Sequence, residues 1–346
     1  MIEKYLISEN KSVKDVVSHM QDNAVKAVII INENKIVLGL FTLGDMRHFF
    51  LTSGNLSANI KEAMNPNPIL FYNTTAIEQR QKTNKLVIYP LVDKDKKIIQ
   101  VITDDNDKNI ISNTCSDIPL VIMAGGKGSR LYPYTKILPK ALIPIGDYTI
   151  SERIIQNFEK YGCKDVFFIL NHKANMIESY FNDIERSYSI NYVIEKNFLG
   201  TGGGLALLKG KINKTFILSN CDILVDADIE SLYKMHKSQK NIITFICAMK
   251  NVVIPYGIVE TDSKGHITKL KEKPEFSFLT NTGVYIIEPE VINDLNENEF
   301  INLPDIAKRY LDNGQNVGVF PVSEKAWLDM GQLTEMENMI NKLGVQ

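Results

Sequence analysis

A glycine-rich segment with basic neighbours lies about a third of the way along the chain, in residues 119–142. An apolar run, residues 120–123, ends directly at its first glycines. Its chemistry-bearing residues are Gly125, Gly126, Gly128, Arg130 and Lys140. A short apolar run that stops at glycines is typical of a buried strand opening into a loop. Glycines let the backbone approach a ligand closely and direct successive N–H groups at an anion. The segment therefore predicts a polyphosphate cradle, with an ordinary glycine-rich turn as the alternative.

An acidic residue follows a second apolar run later in the chain. Residues 215–220 read as a strand, and Asp222 comes just after it. A carboxylate at such a strand end faces the ligand side of a parallel sheet. Mg²⁺ is a hard cation that proteins hold with one or two carboxylates together with substrate phosphates. Asp222 is therefore a candidate Mg²⁺ ligand, and the alternative is a cap for the following helix.

The elements that must position these residues alternate between strands and helices over residues 119–250. The run at 165–170, DVFFIL, is continuously apolar, as expected of a strand covered on both faces. This alternation predicts an α/β domain with a doubly wound, mostly parallel sheet, and ligands in such sheets lie beyond the carboxyl ends of the strands. Near the end of the chain, Thr334 and Glu337 have the spacing of a capping box and predict a final helix over residues 334–343.

The cradle's residues resemble the signature of the sugar-1-phosphate nucleotidyltransferases. The match comprises Gly125-Gly126-x-Gly128-Ser129-Arg130-Leu131, Pro133, Thr135, Pro139-Lys140 and Pro144. The resemblance implies a mononucleotide-binding, Rossmann-like fold and a reaction in which an NTP and a sugar 1-phosphate give an NDP-sugar and pyrophosphate. It also implies that the catalytic residues are Arg130, Lys140 and Asp222.

The same resemblance implies binding residues across the domain. Those implied to bind the nucleotide are Met123, Ala124, Gly125, Gly126, Gly128, Ser129, Leu199, Gly200, Thr201 and Gly203. Those implied to bind the sugar phosphate are Gly257, Glu272, Lys273 and Asn281. The implied Mg²⁺ ligands are Asp222 and Asp329. In the turn at residues 199–205, small residues would let a flat base lie against the backbone.

The first hundred residues contain an internal repeat. Residues 28–42 align without a gap on residues 89–103, an offset of 61, and each copy reads as a helix followed by two strands. The repeat resembles an α+β CBS-domain pair, which implies an adenine nucleotide held by Thr42 and Asp45. A structural or dimerising module without a ligand is the alternative. Such copies usually associate, so a homo-oligomer is expected.

Composition limits the remaining classes of function. The 346 residues carry a formal net charge of -2, which gives no indication of a nucleic-acid or membrane partner. Four scattered cysteines and the lack of a signal-peptide pattern indicate a cytoplasmic protein. The predicted domains are a CBS pair in residues 1–112, with copies about 1–55 and 56–112, a linker at 113–118, and a transferase domain at 119–346.

The base and the sugar are less strongly specified. The Leu199-Gly200-Thr201 triplet resembles guanylyltransferases, whereas the glycine run after it resembles uridylyltransferases. The CBS pair favours GTP, in the branch that feeds nonulosonic (legionaminic) acid synthesis, with glucosamine 1-phosphate as acceptor. Mannose 1-phosphate with GTP is an alternative, as is uridylyl or thymidylyl transfer to another sugar 1-phosphate. An alternative of another class is a non-catalytic, adenylate-sensing regulator.

Overall fold

The computed structural model describes residues 2–83, 86–103 and 117–345. Most of the predicted linker, the end of the second repeat copy and Cys115 lie outside them. The chain divides into two compact units, one from Met1–Ile110 with Met249–Phe278 and one from Ile111–Ala248 with Leu279–Gln346. We describe each unit by itself. Within the described ranges, no helix is long and apolar enough to cross a membrane.

Strands and helices are numbered along the described chain. The strands are β1 Leu6–Ser8, β2 Ala27–Ile31, β3 Val37–Thr42, β4 Ile88–Val92, β5 Ile98–Thr103, β6 Leu120–Ala124, β7 Pro144–Ile145, β8 Tyr148–Thr149, β9 Asp165–Leu170, β10 Ser189–Ile194, β11 Phe216–Asn220, β12 Ile223–Val225, β13 Ile243–Val253, β14 Ile258–Thr261, β15 Ile267–Lys271, β16 Glu275–Ile287, β17 Val317–Ser323 and β18 Trp327–Asp329. The helices are α1 Val13–Asp22, α2 Leu43–Thr52, α3 Thr74–Thr83, α4 Tyr134–Ile137, α5 Ile150–Glu159, α6 Ala174–Asp183, α7 Ile229–Ser238, α8 Glu290–Asp294, α9 Leu303–Asp312 and α10 Leu333–Leu343.

A seven-stranded sheet in the order β10-β9-β6-β11-β16-β13-β17 forms the centre of the second unit. The first four strands run parallel, and β16 pairs antiparallel with β11. The predicted α/β class with a mostly parallel sheet is confirmed. Because β6 lies between β9 and β11, the glycine loop that follows it opens at the middle of the parallel edge.

Both faces of this sheet are buried, which explains its continuously apolar strands. Leu120 and Ile122 of β6 pack into one hydrophobic cluster, whereas Val121 between them packs into the other. The first cluster is completed by residues of α5, α6, α7 and α10, and the second by residues of α8 and α9. Alternate side chains of one strand thus reach opposite layers of helices.

Helix caps are recognisable in the sequence at some positions and not at others. Ser12 and Asp15 form a capping box on α1, and Asp228 caps α7. The predicted capping box of the final helix is wrong. Helix α10 begins at Leu333 after Gln332, which makes no side-chain cap. Thr334 therefore lies inside the first turn, where its hydroxyl is too late to cap.

The structure confirms the repeat in the first unit with the predicted offset of 61 residues. Helix α1 corresponds to α3, strand β2 to β4, and strand β3 to β5. The turns also match, because Lys35 and Lys96 both have φ of 60°. In each turn an Asx side chain accepts two backbone N–H groups, Asn32 in the first copy and Asp93 in the second.

The two hairpin turns bind each other around an approximate twofold axis. Val37 N donates to Lys96 O at 3.0 Å, and Ile98 N donates to Lys35 O at 3.1 Å. The second bond repeats the first with the two copies exchanged. Ile98 is the equivalent of Val37, and Lys96 is the equivalent of Lys35, each 61 residues further along the chain. Ala27, Ile29, Val37, Ile88 and Val92 form the buried cluster between the copies. The pair is thus an internal isologous dimer.

Candidate functional site

The glycine loop after β6 is packed tightly at one glycine and open at another. Gly128 has φ of +64°, and a Cβ there would lie 2.9 Å from Thr135 Cγ2 and 3.2 Å from Lys140 Cβ. Thr135 Oγ1 donates to Gly128 O at 2.9 Å. A Cβ on Gly126 would meet nothing within 4 Å. Gly128 is therefore required by the fold, whereas Gly126 leaves open space for a ligand.

A cleft of about 290 Å³ opens beside this loop. Its lining residues are Met123, Gly125, Gly126, Gly128, Ser129, Arg130, Lys140, Glu195, Phe198, Gly200, Thr201, Asn220, Cys221, Asp222 and Gly331. The structure thus brings together most of the predicted nucleotide-binding residues and all three predicted catalytic residues. Ala124, Leu199 and Gly203 are buried next to this lining.

The second glycine turn packs against the chain's own backbone. A Cβ on Gly203 would lie 2.1 Å from Glu299 O, and one on Gly200 would lie 2.6 Å from Ile301 O. The N–H groups of Gly202 and Gly203 both donate to Ile301 O at 3.0 Å. Close packing therefore accounts for several of these glycines, in addition to the space for a base inferred from the sequence. The segment after them is a short 3₁₀ turn, Gly203–Leu208.

Two acidic residues lie near each other, Asp222 in the lining of the cleft and Asp329 outside that lining. Asp222 follows β11, and Asp329 ends β18, whose pairing with β12 places Asp329 opposite Ile223. Met330 N donates to Asp222 O at 2.9 Å, which ties the two segments together. The Lys140 ammonium forms a mostly buried ion pair with the Asp222 carboxylate. Residues distant in sequence thus form one charged group.

The surroundings of Asp329 fit a divalent cation. Its Oδ1 is buried without a hydrogen-bond partner among the described residues. Burial, followed by the charges of Asp222 and Glu335, raises the pKa of Asp329 to about 6. In the described parts of the chain, no three acidic, His or Cys side chains cluster as a complete metal site. Two carboxylates suit Mg²⁺, which usually completes its shell with phosphate oxygens and water.

Glu195 lines the cleft and was not among the predicted site residues. It follows β10, the residue is only 2% exposed, and neither carboxylate oxygen makes a well-formed hydrogen bond in the described structure, although the Leu199 backbone lies near enough to favour the ionised form. Cβ atoms on Gly125 and Gly204 would lie 2.9 and 2.2 Å from its two oxygens. Burial raises the pKa of Glu195 to about 7, and the nearby Leu199 backbone offsets this only in part. Its position after a strand and four residues before the second glycine turn was the available signal.

The predicted sugar-phosphate residues are divided between the two units. In the first unit, Gly257 adjoins Glu272, because a Cβ on this glycine would lie 2.8 Å from Glu272 Oε2. Lys273 follows in a left-handed conformation with φ of 43°. In the second unit, Asn281 Nδ2 donates to Tyr285 Oη at 2.9 Å, and Asn281 Oδ1 accepts from Gly283 N. Their common role stays a prediction.

Thr42 and Asp45, the predicted CBS ligands, form a capping box on α2. Thr42 Oγ1 donates to Asp45 Oδ2 at 2.7 Å, and Asp45 N donates to Thr42 Oγ1 at 3.2 Å. A helix start of this kind is satisfied by its own side chains. Binding of an adenine nucleotide by these residues stays a prediction.

A larger cavity, of about 530 Å³, lies away from this chemistry, beside Lys237 and Glu288. Burial alone would raise the pKa of Glu288, but hydrogen bonds from His236, Lys237 and Thr215 outweigh it and lower the pKa to about 2. His236 is fully buried and also contacts Thr244 Oγ1 at 2.7 Å. Because these polar groups pair with one another, we assign their hydrogen-bond network a structural role.

Two family models match separate parts of the chain. A family model described as nucleotidyl transferase matches residues 120–344, and one described as CBS domain matches residues 1–52. A UTP–glucose-1-phosphate uridylyltransferase from Synechocystis is 31% identical over 62% of this chain and 60% of its own length. A D-glycero-alpha-D-manno-heptose 1-phosphate guanylyltransferase from Campylobacter jejuni is 33% identical over 50% of this chain and 77% of its own. The chain spans about half the length of several other curated relatives.

Among solved structures, HddC from Yersinia pseudotuberculosis complexed with GMP-PN superposes with a TM-score of 0.51. The match covers 65% of this chain and 99% of that one, at 21% sequence identity. At this level of identity the likeness concerns the fold alone. The fold, the cleft and the family match thus agree on the same part of the chain.

Proposed function

From the premise that the chain belongs to the nucleotidyl transferase family, with a CBS domain at its N-terminus, we propose that it is a sugar-1-phosphate guanylyltransferase. It transfers GMP from GTP to a sugar 1-phosphate. A phosphate oxygen of the sugar 1-phosphate forms a bond to the α-phosphorus of GTP. The bond from that phosphorus to the bridging oxygen breaks, and pyrophosphate leaves with the electron pair.

The residues of the cleft supply positioning and charge and need not supply a base. The attacking phosphate is already mostly dianionic near pH 7, since its second pKa is about 6. Arg130, exposed at the cleft, stabilises charge on the α-phosphate and the leaving pyrophosphate. The loop N–H groups from Gly125 to Ser129 hold the β- and γ-phosphates. Lys140 adds positive charge in the cleft, and the resemblance assigns Lys273 to the phosphate of the sugar 1-phosphate.

Asp222 and Asp329 would hold Mg²⁺. When bound, Mg²⁺ would supply positive charge against the phosphate oxygens of both substrates. The buried Oδ1 of Asp329 has no hydrogen-bond partner in the described structure, so it would be available as a ligand, and the neighbouring acids that help to raise its pKa are groups that a cation would stabilise. Lys140 forms an ion pair with Asp222.

The buried carboxylate of Glu195 selects guanine over the other bases in this proposal. A carboxylate accepts hydrogen bonds and donates none when ionised. The Watson–Crick edge of guanine offers two neighbouring donors, N1–H and N2–H₂, that match its two oxygens. Uracil and thymine offer a single N3–H between two carbonyl acceptors, which would face the carboxylate unfavourably. An unsatisfied buried acceptor costs free energy that guanine would recover. This favours GTP over UTP and dTTP.

The sugar is proposed from resemblance. We favour glucosamine 1-phosphate, for nonulosonic (legionaminic) acid or surface glycan synthesis, with mannose 1-phosphate as the alternative. A uridylyl or thymidylyl transferase is the second candidate, supported by the likeness to the Synechocystis uridylyltransferase. The buried thiols of Cys221 and Cys247 support a cytoplasmic location, and the CBS pair supports a homo-oligomer.

Pyrophosphate release over GTP, UTP, dTTP, CTP and ATP, each with a panel of sugar 1-phosphates, tests the proposal. GTP should be the preferred nucleotide. In Glu195→Gln, kcat/KM for GTP should fall roughly 10- to 100-fold, the value of one bidentate contact to a base. Glu185→Gln, at an exposed position, is the matched control. Preference for UTP in the wild type would establish the second candidate, and inactivity with the whole panel would favour an adenylate-sensing regulator.

A further inference from the structure

The hairpin β14–β15 is grouped with the CBS unit and not with the transferase sheet. The first unit takes up Met249–Phe278 in addition to Met1–Ile110. Every residue of β15 is exposed, as is most of β14, so the two strands pack against little besides each other. An isolated two-stranded hairpin is marginally stable in water. Its position therefore depends on how its base, around residues 249–256 and 272–278, is held.

One carboxylate at that base contacts the first CBS copy and the segment that follows it. Glu275 forms an ion pair with Lys14 of α1 and accepts from Ser57 Oγ at 3.3 Å. It also accepts from Asn251 Nδ2 on the neighbouring strand. The two CBS segments are themselves tied together, because Lys14 N donates to Leu56 O at 2.9 Å. Glu275 thus joins the start of α1, the segment after α2 and the hairpin.

The link from Glu275 to Lys273 is short and stiff. Pro274 lies between them, is buried, and has its φ fixed by the ring. Lys273 has φ of 43°, a conformation that a lysine keeps only when its neighbours hold it. Pro274 O accepts from Ile254 N at 3.0 Å, which closes the base of the hairpin. A displacement of Glu275 therefore moves the Lys273 backbone.

We propose that Glu275 is a positioning residue through which the first CBS copy sets the affinity for the sugar 1-phosphate. The inference rests on the proposed function, in which Lys273 binds that substrate. Lys14 and Ser57 hold Glu275, and Glu275 holds Lys273 in its binding conformation. A change in the CBS pair that shifts α1 would release this contact and weaken sugar 1-phosphate binding. GTP binding, which uses residues of the second unit, would not change.

The test uses the full chain with Lys14→Ala, Glu275→Gln and the charge exchange Lys14→Glu with Glu275→Lys. Exposed Lys11, in the turn before α1, supplies the control Lys11→Ala. In Lys14→Ala and Glu275→Gln, KM for the sugar 1-phosphate should rise about fivefold, as expected for one partly exposed ion pair, with KM for GTP and the thermal midpoint unchanged. The charge exchange should restore most of the affinity.

Amide hydrogen exchange supplies a readout that does not need activity. Exchange across residues 254–275 should be faster in Lys14→Ala than in the wild type or in Lys11→Ala. Unchanged exchange, or an unchanged KM for the sugar 1-phosphate in an active variant, would overturn the inference. An equal rise in both KM values, or failure of the charge exchange to restore binding, would do the same. A wild type that is inactive with every substrate pair refutes the proposed function instead, and exchange alone then decides whether the CBS copy holds the hairpin.

Discussion

Replacing Glu195 by glutamine should make the second unit increasingly stable relative to the wild type as the pH rises from about 4.5 to 7, and the gain should persist at higher pH. The folded state raises the pKa of this carboxyl from its ordinary value of 4.5 to about 7. Between these values the folded chain binds a proton that the unfolded chain has released, so the free energy of unfolding falls as the pH rises. At 1.36 kcal/mol per pH unit, the free energy of unfolding of the wild type falls by roughly 3 kcal/mol between these two pH values. Glutamine does not titrate and avoids this loss.

Urea unfolding of both proteins at pH 5 and pH 8 measures this effect. Trp327, the only tryptophan, lies in the second unit, so its fluorescence reports on the unit that contains Glu195. The stability of Glu195→Gln relative to wild type should be roughly 2–3 kcal/mol more favourable at pH 8 than at pH 5. The comparison between two pH values cancels any neutral difference between the two side chains.

The exposed control Glu185→Gln should show no such dependence on pH. A relative stability of Glu195→Gln that is the same at both pH values would refute the argument. It would mean that the Glu195 carboxylate finds a partner in solution, and the case for guanine would lose its support. If the prediction holds, stability and GTP selectivity change in opposite directions, as expected where function keeps a destabilising group.

Three further predictions concern the cleft and the buried network. Arg130→Ala and Asp222→Asn should each lose about 10²-fold or more in kcat, and near-native turnover of either variant would remove that residue from the mechanism. EDTA should stop pyrophosphate release until Mg²⁺ is restored, and near-native turnover in EDTA would remove the metal from the mechanism. Gly203→Ala should lower stability by about 1–3 kcal/mol in urea titrations because its Cβ would meet a backbone oxygen at 2.1 Å, whereas Gly126→Ala should fold normally and raise KM for GTP. Equal stability of these two variants would contradict the packing seen here. The pKa of Glu288, about 2 in the folded state, lies below its ordinary 4.5, so its stabilisation is complete above pH 4.5 and is lost as the pH falls through 2. Glu288→Gln should therefore cost roughly 3 kcal/mol at pH 7 and a little under half of that at pH 3, and a cost independent of pH would refute this.

Local patterns were sufficient to predict the sheet, the repeat and the glycine loop that follows β6. The run at 165–170 is apolar throughout because both faces of β9 are covered, and that is visible from the residue types alone. The offset of 61 residues survives in the turns because Asn32 and Asp93 fix the same backbone shape. The sequence-based predictions agree with the structure where a local structure is determined by residues close together in sequence.

Features with distant causes could not be predicted in this way. The burial of Glu195 depends on Gly125 and Gly204, which reach it through the folding of separate loops. Gly200 and Gly203 have no room for a side chain, because the backbone of residues 299–301 packs against them. Thr334 has the right partner spacing for a cap, yet the helix starts one residue earlier than the pattern indicates. Each case depends on contacts between segments that are far apart in sequence.

The discontinuous first unit imposes an order on the synthesis of the protein. Met249–Phe278 belongs with Met1–Ile110, yet the ribosome makes more than a hundred intervening residues before it. At a synthesis rate of about 5–20 residues per second, the segment that completes this unit is made on the order of 10 s after the N-terminal repeat. During that interval Lys14 and Ser57 have no Glu275 to bind. The CBS pair must therefore be stable enough to persist on its own while the transferase sheet is still being made, and its internal twofold contact, complete by residue 98, provides such a state early.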